Sequence, residues 1–305
     1  MALNFTAGSV VFKKAAALVY PQFFFSGIMR PQMDFGPYCV ISFDCDFPRD
    51  IEVLPRLVSL LKEYKVSASF ACIGQWVRKY PDPHQLLVDE GFELLNHTHT
   101  HPNLFHPDYD YASGPELSRA FFNQISRSER KREIEQCHAA FTEVLGVSPV
   151  GFRTPHFGAL HVDDVYELLA ELGYVFSTSG LAAAHGGLPY RTEEGIWEIP
   201  VSPCPRHPFG VFDSWHSLGK SGASHGGEGE LAGLFGELIS CVANDGGLAN
   251  VYFDPKDAVE SGELERILRI LVEAEVEAVD YCKLLDKIQV REGEALADVG
   301  GLKGC

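Results

Sequence analysis

Three features that would point to common protein classes are missing from this sequence. Its 305 residues contain no run of about 18 apolar residues, so we expect no membrane-spanning helix. Positive charge is scarce, with 25 Lys and Arg against 42 Asp and Glu and a formal net charge of −17 at pH 7. This balance disfavours nucleic acid and an anionic membrane surface as the main partner, because both are negatively charged.

Cys-x-x-Cys pairs are also absent, although the chain has eight cysteines. Several of them lie inside apolar runs, where thiols usually behave as small buried hydrophobes. We therefore expect reduced cysteines in a cytoplasmic protein, with a disulfide framework as the alternative. The eight are Cys39, Cys45, Cys72, Cys137, Cys204, Cys241, Cys282 and Cys305.

An export signal is only weakly indicated. Lys13 and Lys14 precede the apolar segment 15–29, but Pro21 and Gln22 interrupt it and no small-x-small cleavage site follows. We therefore expect an N-terminal segment that packs on the rest of the protein or on a partner subunit.

The remainder of the chain is predicted to form one domain. Its length suits one large α/β barrel or two ordinary domains, and no internal boundary is evident. We expect an N-terminal arm over residues 1–37, a catalytic barrel over 38–290 and a loosely held tail over 291–305. The aromatic-rich segment 102–125 either shapes the site or is a surface excursion. It and the arm are candidates for a homo-oligomer interface.

Apolar segments of two kinds alternate along this domain. Short β-rich runs such as 38–43 and 67–73 are separated by a segment with Leu57, Val58 and Leu61 at helical spacing. Alternation of this kind is typical of a parallel α/β sheet or barrel.

The run 40–46 ends in two carboxylates, Asp44 and Asp46. Acidic side chains at the end of a buried strand are costly to bury without a partner, which favours a cation or a proton-transfer task. The alternative is a turn or a helix N-cap, because Pro48 and Asp50 follow.

Three alternating histidines, His97, His99 and His101, follow another short predicted strand. Two neutral imidazoles and one carboxylate form a three-ligand site with an open position, as in hydrolytic zinc centres. The alternative is a set of surface histidines. Further along, Arg153 is followed by Pro155, and its side chain either orients a carboxylate or forms an ordinary surface salt bridge.

Taken in order, these three segments resemble the motifs of the polysaccharide deacetylase (NodB-like) family. Asp-x-Asp follows the first strand, His-x-x-x-His follows the third, and Arg-x-Pro lies on a later strand. The resemblance covers roughly residues 38–285. It implies an α/β fold, namely a distorted (β/α)7 barrel of the polysaccharide deacetylase type, with the site at the C-terminal mouth of the strands.

The resemblance also implies a metal site. Asp46, His97 and His101 would hold one divalent ion, whereas His99 is not a ligand in the family's pattern. Zinc is the first choice, and cobalt, nickel, manganese and iron also accept mixed nitrogen and oxygen ligands.

Catalytic roles follow from the same resemblance. Asp44 would be the general base that activates water, and Arg153 would orient its carboxylate. The backbone N–H of His156 would help to stabilise the oxyanion. Trp215 and His216 lie where the family tends to place an aromatic group along the substrate groove, although Trp215 also suits a core position.

One position departs from the family's pattern. Asp254 stands where the family usually has the histidine that protonates the leaving amine. An aspartate with the ordinary pKa of about 4 is a poor acid near neutrality. Four explanations are open: burial raises its pKa, a histidine at 207, 216 or 225 takes the role, the leaving group needs little protonation, or the site binds without turnover.

We predict a metal-dependent hydrolase of a non-peptide C–N bond. The preferred reaction is N-deacetylation of an N-acyl sugar or a related small amide. The rival reaction is ring-opening hydrolysis of cyclic imides or ureides, as in an allantoinase. A non-catalytic, metal-containing binding protein is the rival class, and Asp254 is the residue that favours it.

Overall fold

A sheet of mainly parallel strands organises the residues that the computed structural model describes, which are 16–30, 35–102, 120–219 and 225–291. Its strands are β1 Tyr38–Cys45, β2 Ser69–Cys72, β3 Glu93–Asn96, β4 Gly151–Phe152, β5 Phe176–Ser177, β6 Tyr190–Arg191, β7 Trp197–Glu198, β8 Leu248–Phe253 and β9 Glu277–Ala278.

The strand order is that of an incomplete barrel. Strands β8, β1, β2, β3, β4, β5 and β7 are parallel neighbours in that order, and β6 is antiparallel to β7 at the edge. The segment after β7 returns towards β8, because the N–H of Ser202 donates to the carbonyl of Asn250 at 2.8 Å. Strand β9 pairs with the first two residues of β1. The predicted distorted α/β barrel is confirmed.

Helices connect the strands and cover the outside of the sheet. They are α1 Pro21–Met29, α2 Pro48–Glu52, α3 Leu54–Tyr64, α4 Gly74–Lys79, α5 Pro81–Asp89, α6 Arg127–Ala140, α7 Asp164–Glu171, α8 Ala182–His185, α9 Glu230–Asp245, α10 Pro255–Glu260, α11 Glu263–Glu273 and α12 Tyr281–Arg291. Several begin with a proline in the first turn, where its missing N–H costs no hydrogen bond. In the described ranges, no helix combines the length and apolar character that crossing a membrane requires.

The largest hydrophobic core lies between the sheet and these helices. Strands β1, β2 and β8 are buried on both faces, as expected for parallel strands covered by helices. Free thiols occur at Cys39, Cys45, Cys72, Cys137, Cys204 and Cys241. The expectation of reduced cysteines is wrong for Cys282, which takes part in a disulfide. An apolar sequence context does not show which sulfur atoms meet in space.

Helix α1 lies against the barrel. Phe25 and Met29 are buried in the largest core cluster, and Gln22 Nε2 donates to Glu237 Oε2 at 2.8 Å. The predicted arm therefore has at least one face packed on the barrel. Residues 1–15 and 31–34 of the arm, residues 103–119 of the aromatic-rich segment and the tail beyond residue 291 lie outside the described residues.

Glu93 joins the start of the last helix to the sheet. Its carboxylate accepts the N–H groups of Tyr281 and Cys282, each at 3.0 Å, and the hydroxyl of Ser69 at 2.5 Å. These bonds fix the position of Tyr281, whose ring reaches the interior of the barrel. Burial raises the pKa of Glu93 to about 7.

Replacing Glu93 with Gln should make stability less dependent on pH. The folded protein holds this proton up to about pH 7, whereas the unfolded chain releases it near pH 4.5, so the wild type loses stability as pH rises through that window. The Glu93 contribution to this loss should be on the order of 2 kcal/mol in the wild type and absent in Glu93→Gln, whereas the contributions of other buried acids such as Asp50 are the same in both proteins. Urea midpoints at pH 5 and pH 8 measure it, and equal slopes with pH for both proteins would contradict this assignment.

Candidate active site

Two acidic residues lie at the C-terminal end of β1. Asp44 is the penultimate residue of the strand, opposite Ala71 of β2, and Asp46 follows the last residue. Alternate residues of an extended chain face the same side, and both carboxylates lie at the C-terminal end of this strand. Asp44 and Asp46 are both buried, at 3% and 7% relative exposure.

The histidine segment forms a tight loop after β3. Thr98 and His101 have left-handed backbone conformations, with φ of 65° and 50°. Asn96 Oδ1 accepts the N–H of Thr98 at 2.9 Å, and Thr98 Oγ1 accepts the N–H of His101 at 3.1 Å. These turns bring the rings of His97 and His101 to a centroid distance of 4.8 Å. Such uncommon backbone conformations cluster at functional sites.

Glu133 of α6 holds this loop from outside. Its Oε2 accepts the N–H groups of His99 at 3.0 Å and Thr100 at 2.7 Å, and its Oε1 accepts the hydroxyl of Thr100 at 2.9 Å. The sequence analysis missed Glu133. The available signal was an acidic residue on the buried face of a helix, next to Ile134.

Three ligand atoms, from the histidine loop and from the residue that follows β1, converge without hydrogen bonds. Asp46 Oδ1, His97 Nε2 and His101 Nε2 are buried and have no hydrogen-bond partner among the described residues. His97 Nε2 lies 3.3 Å from Asp46 Oδ1, and His101 Nε2 lies 3.5 Å from Asp46 Oδ2. Ligands of a tetrahedral zinc ion are about 3.3 Å apart, so this donor set fits a divalent ion.

The protonation states of Asp46 and His101 suit a metal. For His97, burial is outweighed by the carboxylates of Asp46 and Asp44, which raise its pKa. Burial alone would raise the pKa of Asp46, but His101 and His97 lower it to about 2. Burial lowers the pKa of His101 to about 4. At neutral pH the carboxylate is therefore charged and the His101 ring is neutral, as metal ligands must be. His97 Nδ1–H donates to the carbonyl of Arg153 at 2.9 Å, which leaves the Nε2 lone pair directed at the site.

Arg153 is fully buried and binds Asp44. Its Nη1 donates to Asp44 Oδ1, while its Nη2 donates to Ser42 Oγ at 2.8 Å and Tyr281 Oη at 2.7 Å. Tyr281 in turn donates to Asn250 Oδ1 at 2.8 Å. The sequence analysis missed Ser42, Tyr281 and Asn250. Polar residues within the apolar strands β1 and β8 were the signal for two of them.

His156 and Trp215 lie near this cluster. His156 has a left-handed backbone conformation with φ of 59°, and its charge acts on both Asp46 and His101. The ring of Trp215 stands edge-on to that of His156, with centroids 6.0 Å apart, and Trp215 is half-buried. The backbone of His216 lies in the π-helical turn Trp215–Gly219, but its side chain lies outside the description.

Asp254 follows β8 and occupies the N-cap position of α10, without a capping hydrogen bond from its side chain. Ser214 Oγ–H donates to Asp254 Oδ2 at 2.9 Å and accepts the Asp254 N–H at 2.6 Å. Burial raises the pKa of Asp254 well above its ordinary value, and the nearby carboxylates, Asp50 first, raise it further. Of the alternatives for the leaving-group acid, His207 and His225 instead lie beside each other, with ring centroids 5.1 Å apart.

Asp50 is a further buried acid that the sequence analysis interpreted only as part of a turn. Its Oδ2 accepts the N–H of Phe47 at 3.0 Å, and its Oδ1 accepts the N–H of Lys256 at 3.3 Å. Burial and then the charge of Asp46 raise the pKa of Asp50 to about 8. The residue therefore links the starts of α2 and α10.

Residues 36–177 match the family model described as polysaccharide deacetylase. A curated relative, the peptidoglycan-N-acetylglucosamine deacetylase of Bacillus cereus, is 26% identical over 125 residues. That alignment covers 40% of this chain and 38% of the relative, which is less than two thirds of the relative's length.

Solved structures show the same fold over more of the chain. A protein of Mycobacterium smegmatis described as a polysaccharide deacetylase has a TM-score of 0.66 at 18% identity, covering 85% of this chain and 93% of its own. Puue allantoinase has a TM-score of 0.63 at 10% identity, covering 84% and 91%. At these identities the likeness concerns the fold alone.

Removing one ligand of the converging trio should remove one metal ion from the purified protein. Asp46→Ala and His97→Ala each leave two donors, too few to retain the ion through dialysis. His99→Ala is the matched control, because His99 lies between the two ligands in sequence but packs against Gly74. Metal content per chain, measured by elemental analysis, should fall in the first two variants only. Unchanged content in Asp46→Ala would show that the trio is not a metal site.

Proposed function

Because the chain is related to the polysaccharide deacetylases in sequence over residues 36–177 and in fold over most of its length, we propose that it is a metal-dependent hydrolase that deacylates an N-acylated amino sugar or a similar small amide. The observation that carries the proposal is the juxtaposition of two arrangements. Three unpaired ligand atoms of Asp46, His97 and His101 converge at the end of β1. The buried ion pair of Asp44 and Arg153 adjoins them, because Asp44 is two residues before Asp46 in the sequence.

The metal and Asp44 would divide the work between them. A divalent ion supplies a Lewis acid that polarises the amide carbonyl and makes water a better nucleophile. Asp44 accepts the proton of the attacking water, and Arg153 binds one carboxylate oxygen so that the other is directed at the substrate. Burial raises the pKa of Asp44 against the opposing effect of Arg153, which makes the carboxylate a better base than an exposed aspartate.

Asp254 would protonate the leaving amine. Its raised pKa keeps a proton available at a pH where an exposed aspartate has lost it. The hydroxyl of Ser214 binds the carboxyl group and holds it at the start of α10. Among the explanations for the missing family histidine, this geometry favours an aspartic acid with a raised pKa.

His156 and Trp215 would contact the substrate. The backbone N–H of His156 is the proposed donor to the developing oxyanion, and the left-handed conformation at this residue sets its direction. The half-buried ring of Trp215 beside His156 provides an apolar face of the kind that packs on a sugar ring. His216 stays a predicted substrate-binding residue.

Assays on a substrate panel test the proposal, with Asp44→Asn as the diagnostic variant. N-acetyl amino sugars, formylated amines and cyclic imides should be incubated with zinc-loaded protein, and we expect acyl release from the first group. Asp44→Asn should lower turnover by about 10²–10⁴-fold with metal content unchanged, because the base is lost while Asp46, His97 and His101 are kept.

Asp245→Asn, an exposed aspartate on α9, is the matched control and should keep full activity. If the protein hydrolyses only the cyclic imides, the proposed deacylation is wrong and the activity is ring opening. Metal-loaded protein that converts no member of the panel would overturn the proposal in favour of a binding protein.

The pH profile should identify Asp254 as the acid. Activity requires its proton, so kcat/KM should fall as pH rises through its raised pKa, and Asp254→Asn should lose both rate and this basic limb. Asp257→Asn should keep the limb but move it to lower pH, because Asp257 helps to raise the pKa of Asp254. An unchanged basic limb in Asp254→Asn would assign the acid to another group.

A further inference from the structure

A second group of metal-binding residue types lies outside the converging trio. Cys204 and His207 form a Cys-x-x-His segment whose turn is closed by the His207 N–H, which donates to the Cys204 carbonyl at 3.1 Å. The backbone N–H groups of Arg206 and His207 are also hydrogen-bonded to the Cys204 sulfur. Burial raises the pKa of the Cys204 thiol against these two hydrogen bonds, and a bound cation would favour the thiolate form.

The third residue of this group is His225, near the end of the segment that connects β7 to α9. His225 Nε2 lies 3.3 Å from His207 Nδ1, so two imidazole nitrogens face each other. One ligand atom from each of Cys204, His207 and His225 lies within 4.8 Å of the other two. Neither ring is explained by the active-site geometry.

Glu230, in the first turn of α9, orients the third member. Its Oε1 lies 3.3 Å from His225 Nδ1, and its Oε2 accepts the N–H of Gly227 at 3.2 Å. A carboxylate on Nδ1 places the proton there and leaves Nε2 as the lone-pair nitrogen. The same carboxylate–histidine arrangement supports histidine ligands in many zinc sites.

The three residues surround a small cavity of about 170 Å³, which Asp213 and Ser217 also line. Cys204 and His225 are buried, whereas His207 is exposed and gives the cavity a side open to solvent. A fourth ligand, water, fits in a cavity of this volume.

We propose that Cys204 Sγ, His207 Nδ1 and His225 Nε2 bind a second metal ion, zinc, with water completing a tetrahedral site. One thiolate and two imidazoles are the ligand types that zinc prefers over magnesium, calcium or manganese. This site is independent of the proposed deacylation, because it shares no residue with the Asp46, His97 and His101 trio.

The second ion would fasten the connection that reaches the active site. Between its ligands lie Ser214, which binds Asp254, and Trp215, which stands beside His156. Asp213 forms a parallel bridge with Tyr252 of β8. An ion that joins residue 204 to residue 225 would therefore hold both ends of this segment against the barrel, which is the role of a structural zinc.

Cobalt substitution separates the two sites, because only the second contains sulfur. Asp46→Ala protein loaded with Co²⁺ should show thiolate-to-cobalt charge-transfer absorption at one ion per chain. The band should disappear in Asp46→Ala/Cys204→Ser and in Asp46→Ala/His207→Ala, and it should persist in Asp46→Ala/Cys241→Ser. Cys241 is a matched control, since it is a free thiol on α9.

His207→Ala also guards against loss of folding, because the side chain it removes is exposed. Zinc content should be two ions per chain in the wild type and one in each single-site variant. Absence of the charge-transfer band in the Asp46→Ala protein, or its persistence without Cys204, would overturn the second site. Either result would leave the Asp46 site and the proposed deacylation untouched.

Discussion

The buried guanidinium of Arg153 is the group on which the rest of the site depends. Its side chain binds Asp44, Ser42 and Tyr281, and its main-chain carbonyl accepts the Nδ1–H of His97. One residue therefore orients both the proposed base and one proposed metal ligand. Burying a charge costs several kcal/mol unless it is paired and hydrogen-bonded, so the stability of Arg153 in this position depends on contacts from β1 and α12 together.

Negative charge is concentrated at this end of the barrel. Asp44, Asp46, Asp50 and Asp254 act on one another, and the pKa values of Asp50 and Asp254 are raised as a result of burial and of these neighbours. Of these four carboxylates, Arg153 forms an ion pair with that of Asp44 only. A divalent cation beside Asp46 would relieve part of the remaining repulsion, which gives the ion a stabilising role besides its chemical one.

The connection from β7 to α9 joins the two halves of the proposed chemistry. Within it Pro203 pairs with Val211, Asp213 and Ser214 contact Tyr252 and Asp254 of the barrel, and His225 lies beside His207. The residues that position Asp254 and flank His156 are thus held by contacts at both ends of a long segment. The positions of the acid and of the aromatic ring therefore depend on this segment and not on Asp46, His97 and His101.

The sequence by itself determined the fold class, through alternating strand and helix patterns, and it determined the order of Asp-x-Asp, His-x-x-x-His and Arg-x-Pro. These features are local, because each depends on residues a few positions apart. Only the tertiary structure decided that Glu133 holds the histidine loop, that Tyr281 and Asn250 support Arg153, and that Cys204 meets His225. Those contacts join residues that are far apart in the chain, and their formation depends on strand register and helix packing, which no short pattern encodes.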